Sequence, residues 1–149
     1  MKVVLNRCFG GFGLSPKAYK RIAELTGVEC YFFTGVHSDK KCTLEDAEKT
    51  SFFSVYNIPN PQDYKYEDWS AMSHEEKDTW NKQYRERRID DFRDDRTNPL
   101  LIRVVEELGS DIASGQLSEL EVVEIPDGID WEIDDYDGRE TIEEKHRSW

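Results

Sequence analysis

The stretch KVVLNRCFGGFGLSP, residues 2–16, decides how the chain begins to fold. Its first part, Lys2–Asn6, is rich in β-forming residues and predicts a buried or half-buried strand. Ser15 is a good N-cap and Pro16 suits the first helical position, so a helix is predicted to begin there. Between the strand and the helix lie three glycines, Gly10, Gly11 and Gly13, whose role has two interpretations.

The first interpretation is an anion site. Glycines between a strand and a capped helix can present consecutive backbone N–H groups near the positive end of the helix, and Arg7 would add a bidentate contact to a phosphate. The second interpretation is structural, because glycines also serve positive φ angles and close packing. The pattern has neither dinucleotide-binding nor P-loop spacing, so it does not decide between the two.

Other candidate site residues lie beyond this loop. Arg96 stands just before the Asn98 helix start, where a cation does not help the helix dipole. It is interpreted as an ordinary surface residue, or as a contact to a ligand anion or to an acid of the terminal hairpin. Cys8 is either a nucleophile or a small buried thiol, and His146 either an acid–base group or part of a surface ion pair. The full ligand-binding set is Arg7, Cys8, Phe9, Gly10, Gly11, Gly13, Ser15, Arg96, Arg139, His146 and Arg147.

The composition excludes several classes of protein. A chain of 149 residues fits one domain, and a net charge of −12 argues against direct binding to nucleic acid or to an acidic membrane. No apolar stretch approaches the roughly 20 residues that a membrane span needs. The three cysteines are odd in number and scattered, which predicts reduced, unbridged thiols in a cytoplasm and no metal site. No cofactor is expected.

The rest of the chain alternates helix and strand signals. The first helix should end at Gly27, and a strand at Val28–Gly35 would complete a βαβ-like unit, parallel or antiparallel. Another strand is predicted at Ser51–Pro59. Ser73 opens a capping-box pattern for a polar helix to about Asp95, and Gln62–Asp95 is interpreted as an insertion.

The last third begins with the clearest helix, NPLLIRVVEELG, which Asn98 caps and Gly109 ends, with one apolar face. A strand follows at Leu120–Asp127. Asp137-Gly138 then predicts a two-residue hairpin turn that sets Ile133 opposite Ile142 and places Trp131 in the core.

On that register we expect Trp131→Ala to cost roughly 3–5 kcal/mol and Glu132→Gln almost nothing. The fold prediction is a single α/β (α+β) domain over residues 1–149. It has a mixed sheet, two packed helices, a polar middle helix and a C-terminal antiparallel hairpin.

The acidic charge is concentrated near the C-terminus. Residues 106–144 hold fifteen acids and one base, Arg139, for a local charge of −14. Acids that alternate with Ile and Trp are typical of a solvated strand face. The alternative is a surface that attracts a basic partner or imitates nucleic acid.

Three stretches, MKVVLNRCFGGFGLS, PLLIRVVEELG and YDGRETIEEKHRSW, resemble a group of small proteins of tailed bacteriophages and prophages. The resemblance covers about the first 35 and the last 55 residues. It implies a phage origin and a location in the host cytoplasm, and it carries over no catalytic residue.

These observations lead to a non-enzymatic phage accessory protein that binds a small phosphorylated or nucleotide-like ligand at Arg7–Gly13. In the phage setting, that ligand is interpreted as a host defence signal that the protein sequesters. One alternative is an acidic inhibitor of a basic host protein. A second is a small hydrolase or transferase that uses Cys8 or His146.

Overall fold

The computed structural model describes residues 1–35, 40–59 and 66–146. Helices and antiparallel sheets build an α+β protein, which confirms the predicted class. The elements in chain order are β1 (Lys2–Asn6), α1 (Pro16–Thr26), β2 (Tyr31–Thr34), β3 (Lys40–Cys42), α2 (Leu44–Glu48), β4 (Ser54–Tyr56), α3 (Tyr66–Ala71), α4 (His74–Arg87), α5 (Pro99–Leu108), α6 (Ser110–Ala113), β5 (Leu120–Glu124), β6 (Trp131–Tyr136) and β7 (Arg139–Glu144).

The predictions of a mixed sheet and of a βαβ-like unit, in which the first two strands belong together, are wrong. In the described ranges the strands form three antiparallel sheets, β1–β5, β3–β2–β4 and β6–β7. β2 has only four residues, and strands that follow it closely in sequence take both of its edges, as short connections favour. β1 therefore pairs with β5 rather than with β2.

The described chain divides into two compact units. Met1–Ile22 and Asp91–Trp149 form the first, here called the terminal unit, and Ala23–Asp90 form the second, the central unit. α3 and α4, from the segment interpreted as an insertion, belong to the central unit, while the start of that segment at Gln62 lies outside the described residues. The single domain stays a prediction.

The core of the terminal unit forms around β1. Residues Val3 to Asn6 are almost completely buried, and Val4 lies opposite Val122 of β5. α5 buries Leu101, Val104 and Val105, which confirms its predicted apolar face. The predicted cap is also confirmed, because Asn98 Oδ1 accepts a 2.9 Å hydrogen bond from Leu100 N.

α1 begins as its sequence predicts. Ser15 Oγ accepts a 3.1 Å hydrogen bond from Ala18 N, and the helix ends before Gly27, whose φ is +73°. α1 buries Ala18, Ile22 and Ala23. Its apolar face is therefore used for packing, as the spacing predicts.

The central unit buries Phe32, Phe33, Val55 and Tyr56 of its sheet. The capping box of α4 is confirmed, since Ser73 Oγ accepts a hydrogen bond from Glu76 N at 3.2 Å. The helix ends at Arg87 rather than near Asp95, and it has no fully buried residue. β3, α2, α3 and α6 were not predicted because each spans at most six residues, too few to show a period.

The terminal hairpin has the predicted register. Ile133 lies opposite Ile142, and the turn residues Asp137 and Gly138 have φ values of +52° and +88°, as a type I′ turn requires. The placement of Trp131 in the core is wrong, because its side chain is only half-buried. It stands at the end of the two-stranded sheet farthest from the turn, opposite Glu144.

Candidate functional site

The glycine loop, residues 9–13, lies against the turn of the C-terminal hairpin. A Cβ atom placed on Gly138 would come within 2.7 Å of both Phe9 O and Gly11 N. Asn6 links the same two segments, because its Nδ2 donates to Cys8 O at 2.7 Å and to Gly138 O at 2.6 Å. The contact brings together candidate residues that are more than 120 positions apart in sequence.

Arg139 reaches the glycine loop through this contact. Its guanidinium carbon lies 5.8 Å from the centre of the Phe9 ring, and both side chains are exposed. No carboxylate pairs with Arg139 in the part of the chain that the structure describes. The loop therefore has an exposed cation and an exposed aromatic ring beside it.

The backbone N–H groups of the loop are not used by the fold. Among residues 1–35, 40–59 and 66–146, no acceptor receives a hydrogen bond from the N–H groups of residues 9–14. Phe9 and Gly10 are exposed, while Gly11 and Gly13 are half-buried. None of these donors takes part in a sheet bond, but Phe12 and Leu14 are buried. The anion-site interpretation therefore applies to the N–H groups of the exposed residues Phe9 and Gly10.

Close packing explains why residue 10 is a glycine. A Cβ atom on Gly10 would lie 1.8 Å from Leu117 O, so a larger residue would clash with the backbone. Gly13 has room for a side chain, and its carbonyl oxygen accepts hydrogen bonds from Gly115 N (2.9 Å) and Ser118 Oγ (2.6 Å). The loop therefore has a structural role, and the binding interpretation applies only to its free N–H groups.

Arg96 is buried, so the interpretation as an ordinary surface residue is wrong, and it contacts an acid of the hairpin, which was one of the alternatives. Its Nη1 and Nη2 atoms donate to Glu140 Oε2 (2.7 Å) and Oε1 (2.8 Å), and both side chains are less than a tenth exposed. The Arg96 guanidinium also donates to Arg93 O (2.7 Å) and Val4 O (3.2 Å), and it lies 3.7 Å from the centre of the Phe12 ring. The N–H groups of the Arg96 guanidinium donate to acceptors within the protein, so Arg96 stabilises the fold and is not a ligand contact.

Glu140 connects this ion pair to the strand before the glycine loop. Its Oε2 atom accepts a hydrogen bond from Asn6 N at 2.8 Å. Arg7 donates to Glu140 O at 3.2 Å and forms a 2.7 Å ion pair with Glu121. The sequence predicted that Arg7 would be free to make a bidentate contact to a phosphate. In the structure an anion would instead have to compete with Glu121 for the Arg7 guanidinium.

The remaining candidates that the structure describes are Cys8, Ser15 and His146. Cys8 Sγ donates to Leu117 O at 3.2 Å and to Asn6 Oδ1 at 3.4 Å. Ser15 Oγ donates to Ile112 O at 2.5 Å in addition to capping α1. His146 is exposed, and Arg147 lies outside the described residues.

Cys8, Cys30 and Cys42 form no disulfide bond in the structure. Burial, followed by the charge of Asp46, raises the pKa of the Cys42 thiol. Within the described ranges no group of three His, Cys, Asp or Glu residues could hold a metal ion. No helix among those residues is long and apolar enough to cross a membrane.

Asn6, Glu140 and Gly138 hold the loop and the hairpin together, but the sequence analysis did not include them among the ligand-binding residues. A signal for Glu140 was present, because it lies two positions from Ile142 and therefore on the same face of β7. An acid on the apolar face of a strand needs a buried partner. Asn6, at the end of an apolar strand, gave a similar signal.

Comparisons with known proteins add nothing to this geometry: no family model, no curated protein and no solved structure matches the chain.

Proposed function

We propose that this protein binds a small phosphorylated or nucleotide-like ligand at the glycine loop without catalysing a reaction on it. One observation carries the proposal. The exposed part of the loop combines backbone N–H groups that have no acceptor in the described chain with the unpaired guanidinium of Arg139. Phosphate oxygens are natural acceptors for such a set of donors.

The surroundings of the loop favour a phosphate group, which accepts several directed hydrogen bonds, over an anion attracted by long-range charge alone. The loop precedes α1, an eleven-residue helix whose N-terminal end carries partial positive charge. The chain as a whole carries −12, so its overall field repels anions, and binding depends on short, directed hydrogen bonds.

Phe9 supports the nucleotide-like class. Its side chain is 57% exposed beside the free donors, so a base could stack on its ring while the phosphate occupies the loop. Base stacking on an aromatic ring contributes about 1–3 kcal/mol. A nucleotide should therefore bind more tightly than pyrophosphate at this site.

The geometry supports binding without chemistry. Cys8 is hydrogen-bonded to carbonyl oxygens, and Arg96 and Glu140 neutralise each other, so no nucleophile–base pair stands at the loop among the described residues. The predicted phage origin implies that the protein acts in the host cytoplasm. It also suggests a role in which the protein sequesters a host defence nucleotide.

Titration of ¹⁵N-labelled protein with pyrophosphate and with a nucleoside monophosphate tests the proposal. We expect amide shifts at residues 9–13 and binding about tenfold weaker in Arg139→Gln. Arg103→Gln, which removes the same charge from an exposed position on α5, is the matched control and should bind normally. Phe9→Ala should weaken the nucleotide but not pyrophosphate.

Two results would contradict the proposal. One is a set of shifts outside the loop and hairpin turn, and the other is equal binding by Arg139→Gln and wild type. Turnover of the nucleotide that Cys8→Ala abolishes would instead support the hydrolase alternative.

A further inference from the structure

We propose that the outer edge of β6 accepts an extended segment of a partner protein in which Lys or Arg alternates with apolar residues. The segment would add a third strand to the β6–β7 sheet. This inference is independent of the ligand proposal, because it uses the other edge of the hairpin and none of the glycine loop.

The backbone of β6 is free along this edge. Lys145 N donates to Asp130 O at 2.8 Å, so residues 130 and 145 form a hydrogen-bonded pair. The antiparallel register then directs the N–H and C=O groups of Trp131, Ile133 and Asp135 away from β7. Within the described ranges these groups have no hydrogen-bond partner. Such an edge is a template for another strand.

The side chains beside that edge specify the incoming strand. Trp131 and Ile133 are half-buried on one face of β6, whereas Glu132 and Asp134 are exposed on the other. Glu132 also lies directly opposite Glu143 of β7, and this pair of like charges is unfavourable within the hairpin. A basic side chain opposite Glu132 would relieve that repulsion, and an apolar one opposite Ile133 would extend the apolar face.

The same charges disfavour a second copy of this chain as the partner. Two β6 strands that pair edge to edge bring Glu132 and Asp134 near the equivalent acids of the other copy. Each chain also carries a net charge of −12, so approach of two copies is repulsive. A basic segment of a different protein has both the charge and the alternation that β6 lacks.

Hydrogen exchange in the presence of a synthetic peptide tests this inference. The probe is a peptide of about eight residues that alternates lysine and valine, a length that matches one strand. We expect the amides of Trp131, Ile133 and Asp135 to become protected, while those of Glu132 and Asp134, already bonded within the hairpin, change little. Peptides with glutamate in place of lysine, or with alternate backbone nitrogens methylated, should not bind.

Charge reversal gives the matched variants. Glu132→Lys removes the attraction and also relieves the repulsion by Glu143, so the hairpin stays folded while peptide affinity falls about tenfold at low salt. Asp94→Lys makes the same charge change in the exposed turn before α5 and should leave the affinity unchanged. Thermal denaturation of both variants checks the fold.

The inference is wrong if Glu132→Lys and wild type bind the peptide equally, or if the glutamate peptide binds as well as the lysine peptide. Protection that appears at β5 rather than β6 would also overturn it. A dimer of the protein alone, observed by sedimentation, that blocks the peptide would identify a second copy as the occupant.

Discussion

The terminal unit and the central unit are stabilised by different kinds of contact. In the terminal unit a buried ion pair, Arg96–Glu140, is surrounded by backbone donors and acceptors. In the central unit a row of aromatic rings makes successive contacts. The ring centres of Tyr56 and Tyr84 are 5.4 Å apart, those of Tyr84 and Trp80 4.8 Å, and those of Trp80 and Trp69 5.3 Å.

The two kinds of contact differ in how much stability is lost when one partner is removed. Removing one partner of a buried ion pair leaves a charge without water and without a counter-ion. Tyr56 is buried, but a half-exposed ring of the row such as Trp80, when it is removed, leaves surface that water can cover. The terminal unit should therefore respond sharply to single substitutions, and the central unit gradually.

The largest expected loss of stability follows from breaking the Arg96–Glu140 ion pair. Arg96→Met leaves Glu140 buried and unpaired, and we expect it to lower the free energy of unfolding by roughly 3–5 kcal/mol. The double variant Arg96→Met/Glu140→Leu removes both charges and should be more stable than the single one. Chemical denaturation measures both. A cost below about 1 kcal/mol for Arg96→Met would contradict the comparison.

The next effect concerns the glycine loop. Gly10→Ala brings a methyl group into the backbone of Leu117 and should cost roughly 1–3 kcal/mol. Gly13→Ala is the control, because the nearest atom to its new Cβ would be Ser118 Oγ at 3.8 Å, and its effect should stay within about 0.5 kcal/mol. Equal stability of the two variants would mean that the loop does not pack as described.

A smaller effect is expected in the central unit. Trp80 is half-buried and stacks on Tyr84 with an interplanar angle of 21°. Trp80→Ala should cost about 1–2 kcal/mol, and Trp80→Phe, which keeps a ring at this position, should cost less. If Trp80→Ala costs as much as Arg96→Met, the aromatic row is as critical as the ion pair and the comparison fails.

The smallest effect is the pH dependence of an exposed ion pair. The hydrogen bond and charge of Arg21 lower the pKa of Glu107, whose carboxylate it contacts at 2.9 Å. A lowered pKa stabilises the fold above the ordinary carboxyl pKa, and this contribution is lost as the pH falls through the lowered value. The small difference in stability between wild type and Glu107→Gln should therefore be present at pH 7 and vanish in acid. In an Arg21→Gln background the difference should be smaller, because only the charge of Arg103 then lowers the pKa of Glu107.

Local signals account for what the sequence predicted correctly. The caps Ser15, Ser73 and Asn98 act within three residues, and Asp137-Gly138 determines the hairpin turn and with it the pairing of Ile133 with Ile142. Each of these signals depends on neighbours that the sequence shows directly.

The contacts that were not predicted join distant residues. Nothing local in Lys2–Asn6 specifies Leu120–Glu124 as its partner rather than β2. The packing of Gly138 on Phe9 and Gly11 likewise depends on where two separate elements meet. Of the candidate site, the loop and Arg139 were identified individually, but their proximity follows only from the tertiary fold.

The hydrogen bond between Asn6 and Glu140, 134 positions apart, has a consequence for biosynthesis. β1 is synthesised more than a hundred residues before its partners β5 and Glu140. Contacts of the central unit are far more local, with Tyr56 and Tyr84 separated by 28 positions. Loop closure favours such local contacts, so the central unit can form while the apolar Val3–Leu5 segment is still unpaired. An unpaired apolar strand is prone to aggregation during that interval.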